Sequence, residues 1–421
     1  MRTWRARTSV FSSVDQEHIR PVRNGGAIGN ERRKTMKTHE IKDTTGDVIY
    51  KADAESFKVA MQQAVILENV NLDGADLTGV DLESAILNNA KLANANLIGA
   101  ILRNADLTGA NLDDADLTGV DLFGAKLIGA DLTDADLTGA NLADAKLTGA
   151  NLTGANLTKA NLIGADLTGA NLADANLFGA NLADADLTGA NLTGADLAGA
   201  DLTSMKLGKA NLIGAILCNA KLDSVRLCNV DLIGADLLAA KLTGANLTGA
   251  NLTKANLIGA DLTGADLIGA DLTGANLDGA DLTIAKLADA NLADADLTKA
   301  NLLGADLFGA KLRNANLDDA DLTDADMAGA DLTDANLTGA DLTIADLAGA
   351  NLTGANLAAA KLLGANLAAA NLIGADLAGA DMAGADLTDA NLLGANLAAA
   401  NLIGADLADA NLFGAKLDLK P

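Results

Sequence analysis

Apolar and polar positions follow an unusual rhythm over most of this chain. From Leu67 to Leu417 a leucine stands at every fifth residue, replaced only by Met327 and Met382. Two residues before each stands an alanine, except at Val65, Val70, Val80, Val120, Met205, Val225 and Val230. Asp or Asn usually lies between the two, and Gly often sits two after the leucine. The unit Ala-(Asp/Asn)-Leu-(Thr/Ile/Ala)-Gly recurs about 71 times. A helix turns about 100° per residue, so leucines five apart would wander around it and form no stripe. A flat strand alternates faces, so an odd spacing would throw leucines to both sides. The pattern works if a short extended piece is followed by a corner. Ala and Leu, two apart, then point inward, and Asp or Asn points outward. The next two residues turn the chain, where Gly tolerates the backbone angles of a tight corner. Turning repeatedly in one sense winds the chain into a solenoid.

Units such as Ala75-Asp76-Leu77-Thr78-Gly79 and Ala150-Asn151-Leu152-Thr153-Gly154 match the motif A(D/N)LXX directly. The chain thereby resembles the pentapeptide repeat family. That resemblance implies an all-β solenoid, a right-handed four-sided parallel β-helix with four pentads per coil. Ala75, Leu77, Ala150, Leu152, Met327 and Met382 would then line its core. The 71 pentads would make nearly 18 coils, a rod about 85 Å long at roughly 4.8 Å per coil.

Residues 1–36, 37–65 and 66–421 divide into a tail, a cap and the array. The tail, over residues 1–35, holds eight Lys/Arg against three acids and contains Trp4, the only tryptophan. It reads as a disordered tail, or a start assigned upstream of Met36; the functional alternative is a basic arm for nucleic acid or an anionic surface. In the cap, Glu40-Ile41-Lys42 and Val48-Ile49-Tyr50 flank a turn at residues 43–47, which predicts a hairpin. Asp53 is expected to N-cap a helix to about Ala64. Phe57, Ala60, Met61 and Ala64 follow helical spacing, with Phe57 and Met61 set to contact the first coil. A solenoid needs such a lid over its exposed strand edge. The segment resembles the leaders of bacterial and phage pentapeptide arrays.

Composition narrows the chemistry. His18 and His39 are the only histidines and both precede the array. No Ser-His-Asp or Cys-His arrangement can therefore be built on the rod. There is no Cys/His metal spacing and no phosphate loop, so neither catalysis nor a cofactor is expected. Cys218 and Cys228 lie two pentads apart, on opposite faces of one coil, too far apart to bridge. No apolar run approaches the roughly 20 residues of a membrane helix, and no secretory apolar segment opens the chain. A cytoplasmic protein without membrane contact is expected.

Two passages are copied. Residues 145–170 and 240–265 are identical, as are 362–378 and 392–408. Neither offset is a multiple of 20, so in a four-sided coil the copies occupy different faces. The outward Phe123, Phe178, Phe308 and Phe413 likewise form no stripe. One region departs from the pattern, residues 205–230. Lys206, Lys221 and Arg226 replace Asp or Asn there, and Lys209 replaces Gly; with Lys241 they form a candidate basic interaction region. The plainer alternative is repeat drift, with lysines relieving repulsion, as Lys206 would beside Asp186. The last coil has no cap helix, which predicts end-to-end homodimerisation.

Of the 56 acidic and 30 basic residues, 48 and 18 fall from residue 66 onward, a net charge of −30. Spread over about 85 Å, that is roughly one charge per 3 Å, against one per roughly 1.7 Å in duplex DNA. The leading expectation is a non-enzymatic structural or interaction rod with an acidic surface and an unidentified protein partner. Such a surface would not bind nucleic acid directly. The resemblance supplies a second expectation. One branch of the family, the quinolone-resistance proteins, is understood to mimic DNA and occupy gyrase. This chain lacks that branch's dimerisation module and projecting loops.

Overall fold

The computed structural model describes residues 36–67 and 69–417. The basic tail and the last four residues lie outside them, as do the expectations placed there. Strands β1 (Lys37–Lys42) and β2 (Val48–Ala54) form the expected antiparallel hairpin. Its turn is organised by Asp43, whose Oδ1 accepts from the Thr45 amide, the Thr45 hydroxyl and the Asp47 amide. Helix α1 (Phe57–Gln62) follows and runs into a π-helical turn, Gln63–Leu67.

Two details of the cap differ from expectation. Asp53 does not cap the helix, because β2 continues through it to Ala54; its carboxylate accepts from Thr38 instead. Ser56, in extended backbone, takes the N-cap and accepts from the Val59 amide. The helical turn also runs past Ala64 and absorbs Val65, so the laddered array begins at Asn71. Met61 is fully buried, and Phe57 packs partly buried against the same core. The hairpin closes the first coil as well as the helix does. Lys42 O accepts from Asp76 N at 2.8 Å, and Gly74 O from Thr44 N at 3.1 Å.

Within the array every parallel bridge joins residues 20 apart, from Asn71↔Lys91 to Asn396↔Lys416. Four pentads therefore complete one coil, and each coil sits on the one before it. The final bridges lengthen into β3 (Asn396–Leu397) and β4 (Lys416–Leu417). Each corner is a turn closed by the alanine amide donating to the leucine carbonyl, as in Ala150 N to Leu147 O at 2.9 Å. The residue before the alanine has positive φ throughout, for example +62° at Gly149 and +57° at Asp174. That sign at the third turn position is the signature of a type II turn.

The core is one continuous column of Leu and Ala from Leu72 to Leu397, with Ala75, Leu77, Ala150, Leu152, Met327 and Met382 all buried. No charged or polar residue is buried among the described residues. Around the last coil the column opens to solvent, and Leu417 is 41% exposed. Among the described residues no helix is long and apolar enough to cross a membrane.

Candidate interaction surface

The outward Asp or Asn of each pentad has a local job. Its Oδ1 accepts from the backbone amide two residues on, and from the hydroxyl when that residue is Thr. Asp136 does so with Thr138 at 2.9 and 2.5 Å, and Asn151 with Thr153 at 3.3 and 2.7 Å. This is the Asx turn, open to Asp and Asn alike. Asn does one thing more. At many levels its amide donates to the side chain one coil below, as Asn191 does to Asn171 at 2.9 Å and Asn336 to Asn316 at 2.8 Å. Asp cannot donate. Where Asp stacks on Asp, as in Asp306–Asp326–Asp346 and Asp321–Asp341, carboxylates lie in register.

Basic residues pair with the ladder acids, the lysines from within the stacks and Arg103 from the position after its leucine. Lys206 reaches Asp186 at 3.1 Å, Lys221 reaches Asp201 at 3.3 Å and Lys361 reaches Asp341 at 3.1 Å, while Arg103 pairs with Asp121. The Thr188 and Thr203 hydroxyls, helped by these lysines, hold the Asp186 and Asp201 carboxyls below the usual carboxylate range.

The structure brings the candidate basic residues together on two adjoining faces. Lys206 stacks on Arg226, and Lys221 on Lys241. Lys209 occupies the corner after Lys206, at φ +60°. Neither Lys209 nor Arg226 has an ion-pair partner among the described residues.

A second feature of this region is invisible in the pentad spacing. The coil carrying Met205 does not close on the coil carrying Val225. At every neighbouring level the Asp/Asn, Leu and corner amides donate to the adjacent coil. Here the amides of Ser204, Leu207, Lys209, Arg226 and Asp231 make no such bond. A cleft of about 630 Å³ opens at the breach, lined by Ser204, Met205, Lys206, Ser224, Val225 and Arg226 among others. Behind it the leucine column holds an apolar void of about 10 Å³, barely room for one water. Ser204 and Ser224 carried no signal in the sequence. Met205 and Val225 did, because they lie 20 apart and must stack.

Cys218 and Cys228 are free, their thiols directed at the Asp236 and Asn246 carbonyls. Burial pushes the Cys218 thiol up to about 11. No cluster of His, Cys, Asp and Glu among the described residues is placed to hold a metal.

The family profile described as pentapeptide repeats, eight copies, matches overlapping stretches from residue 66 to residue 418. Among solved structures, HetL is 39% identical with a TM-score of 0.29. It is a pentapeptide repeat protein involved in heterocyst differentiation regulation from the cyanobacterium Nostoc sp. strain PCC 7120, and the match covers 57% of this chain and 90% of HetL. QnrB1, a plasmid-mediated fluoroquinolone resistance protein, is 23% identical over 45% of this chain and 90% of its own, with a TM-score of 0.30. Rfr23, from the cyanobacterium Cyanothece 51142, is 41% identical over 21% of this chain and 58% of its own, with a TM-score of 0.14. No curated protein matches the chain significantly.

Proposed function

This chain belongs to the pentapeptide repeat family, a family of right-handed quadrilateral β-helices, and on that premise we propose that it is a non-enzymatic rod whose acid ladders engage a protein partner. One observation carries the reading. The Asx turn is made by Asn as well as by Asp, and at levels such as Asn191–Asn171 and Asn336–Asn316 Asn adds a bond between coils. Asp nevertheless recurs in register, as in Asp306–Asp326–Asp346, where like charges directly opposite oppose stability. The negative surface is thus maintained beyond what the corners require. A basic protein surface in the cytoplasm is the partner that such a rod would draw in and orient.

A second reading has its own support. The net charge of −30 from residue 66 onward is a little over half the axial charge density of duplex DNA. A rod of that kind could fill a groove built for phosphates in gyrase or another DNA-binding protein. A gyrase supercoiling assay with the full chain, at two salt concentrations, separates the readings. Stoichiometric, salt-sensitive inhibition that a disordered polyaspartate fails to reproduce would favour DNA mimicry. Full supercoiling at tens of micromolar would discard it and leave the acid-ladder rod. That reading fails in turn if replacing the middle residue of the stack, Asp326→Asn, together with Asp306→Asn and Asp346→Asn, leaves capture of basic proteins unchanged.

A further inference from the structure

The breach between the Met205 and Val225 coils has a specific cause. Alanine fills the inward corner position almost everywhere, and at Val80 and Val120 a larger residue is tolerated against the alanine next to it, whereas at Val230, on the face beside the breach, Asp231 N has lost Ala210 O. Val80, Ala100 and Val120 stack in alternation. Their ladder is intact, with Ile101 N to Val80 O at 2.9 Å, Asp121 N to Ala100 O at 3.0 Å and Asn141 N to Val120 O at 2.9 Å. Met205 stacks directly on Val225, and there the bonds are lost. Like charge is not the cause. Lys126 stacks on Lys146 with Lys146 N still donating to Ala125 O at 2.8 Å. Two bulky side chains in consecutive coils hold the coils apart.

The opening strands groups that need partners. The unbonded amides of Ser204, Leu207 and Arg226 belong to residues that line it, and those of Lys209 and Asp231 flank it. The carbonyls they would have bonded, such as Met205 O, face it too. Ser204, Lys206, Lys209 and Arg226 are exposed, so water meets these unpaired groups, and a ligand that brings acceptors and a donor together can replace that water. Lys206 and Arg226 line it in register. Asp186 engages Lys206 from one side, whereas Arg226 and the adjacent Lys209 have no acid partner among the described residues. Cations are therefore disfavoured here, in contrast to the acidic faces around it.

We propose that this breach is a binding site for a phosphate group, free or carried as a monoester. The phosphate oxygens accept from the stranded amides and from Lys206 and Arg226. Its remaining hydroxyl, present while the second proton is retained, donates to a stranded carbonyl. A carboxylate brings acceptors alone and leaves the carbonyls unmatched. The site is independent of the acid ladders, so it stands or falls apart from the partner proposed for them.

The test combines calorimetric titration with amide exchange on the full chain, using inorganic phosphate, glycerol phosphate and acetate. Inorganic phosphate is expected to bind with one-site stoichiometry and at least tenfold more tightly than acetate. It should also slow exchange of the Ser204, Leu207, Lys209, Arg226 and Asp231 amides. Equal binding of glycerol phosphate would assign the site to monoesters as well as to the free ion, and its exclusion would confine the site to the free ion. Met205→Ala recreates the tolerated alternation. It should close the ladder, protect the same amides without ligand and lower phosphate affinity at least tenfold, although every cation remains. Arg226→Asn restores the usual residue and should weaken binding with the breach still open. Phosphate binding that survives Met205→Ala would overturn the proposal, as would no binding at millimolar phosphate. So would amides around the breach that are as protected as their neighbours.

Discussion

A corner residue with positive φ pays a conformational penalty unless it is Gly, Asn or Asp, and this rod spreads that penalty along its whole length. Most corners use those three types. Ile284 and Ile344 do not: each is β-branched, at φ +52° and +55°, and more than half exposed. Their side chains lie over the glycine corners of neighbouring coils, Gly304 and Gly364, where a Cβ added to either glycine would meet the isoleucine Cγ2 at 3.5 Å. Contact of that size offsets little of the left-handed cost, which is about 1–2 kcal/mol for a residue with a Cβ. Ile284→Asn is therefore expected to stabilise the protein by about 1 kcal/mol. Thermal unfolding of the single variant checks this, and a lower midpoint would show that the exposed isoleucine contributes more than it costs.

The pentad is an Asx turn fused to a type II turn, and both parts can be probed by acid. At Asp76 the Thr78 hydroxyl, followed by the Thr78 amide, holds the carboxyl below its ordinary value of 3.8. A depressed folded pKa gives stability that is fully present above the unfolded value and lost as pH falls through the folded one. Thr78→Ala removes the larger cause. The variant should be less stable than the parent at neutral pH, and the gap should close as pH drops below about 3.8. A gap that stays constant down to strong acid would mean that the hydroxyl acts by packing alone. At this scale the sequence was largely legible. The inward pair and the Gly-tolerant corner follow from the spacing of Ala, Leu and Gly. The choice of Asp or Asn did not, because an outward polar residue is expected on any coat and the Oδ1 bond appears only once the corner is built. The cap shows the opposite weakness. Asp53 and Ser56 are both good N-caps, and strand pairing with β1 decided between them.

Over the whole molecule, the number of sides could not be read from a period of five, since five-residue edges close any polygon. Resemblance supplied four, and the bridges at 20-residue spacing agree. That spacing was enough to stack Lys206 on Arg226 from sequence. The same arithmetic applied to Met205 and Val225 would have flagged the breach, but steric overfilling needs the neighbouring alanines as a reference. Charge also acts at this scale. Exposed pairs such as Lys361–Asp341 contribute little each, while repulsion summed along a rod of net charge −30 is screened by salt. Raising sodium chloride from about 10 mM, where the Debye length is about 30 Å, to about 1 M, where it is about 3 Å, should raise the thermal midpoint. A midpoint that falls would show that ion pairs outweigh the repulsion.

The uniform bonding of successive coils also governs how such a gene can change length. Away from the Met205–Val225 breach each pentad donates to and accepts from its neighbours in the same way, so unequal crossing-over between alanine-cornered copies rejoins a complete core. Losing or gaining four pentads alters the rod by one coil, roughly 4.8 Å, and leaves every later residue on its original side. Losing or gaining one pentad preserves the core equally well but rotates everything downstream by a quarter turn. Length is therefore cheap to vary, whereas the alignment of a charged stripe or of the Lys206–Arg226 pair survives only recombination in multiples of 20 residues.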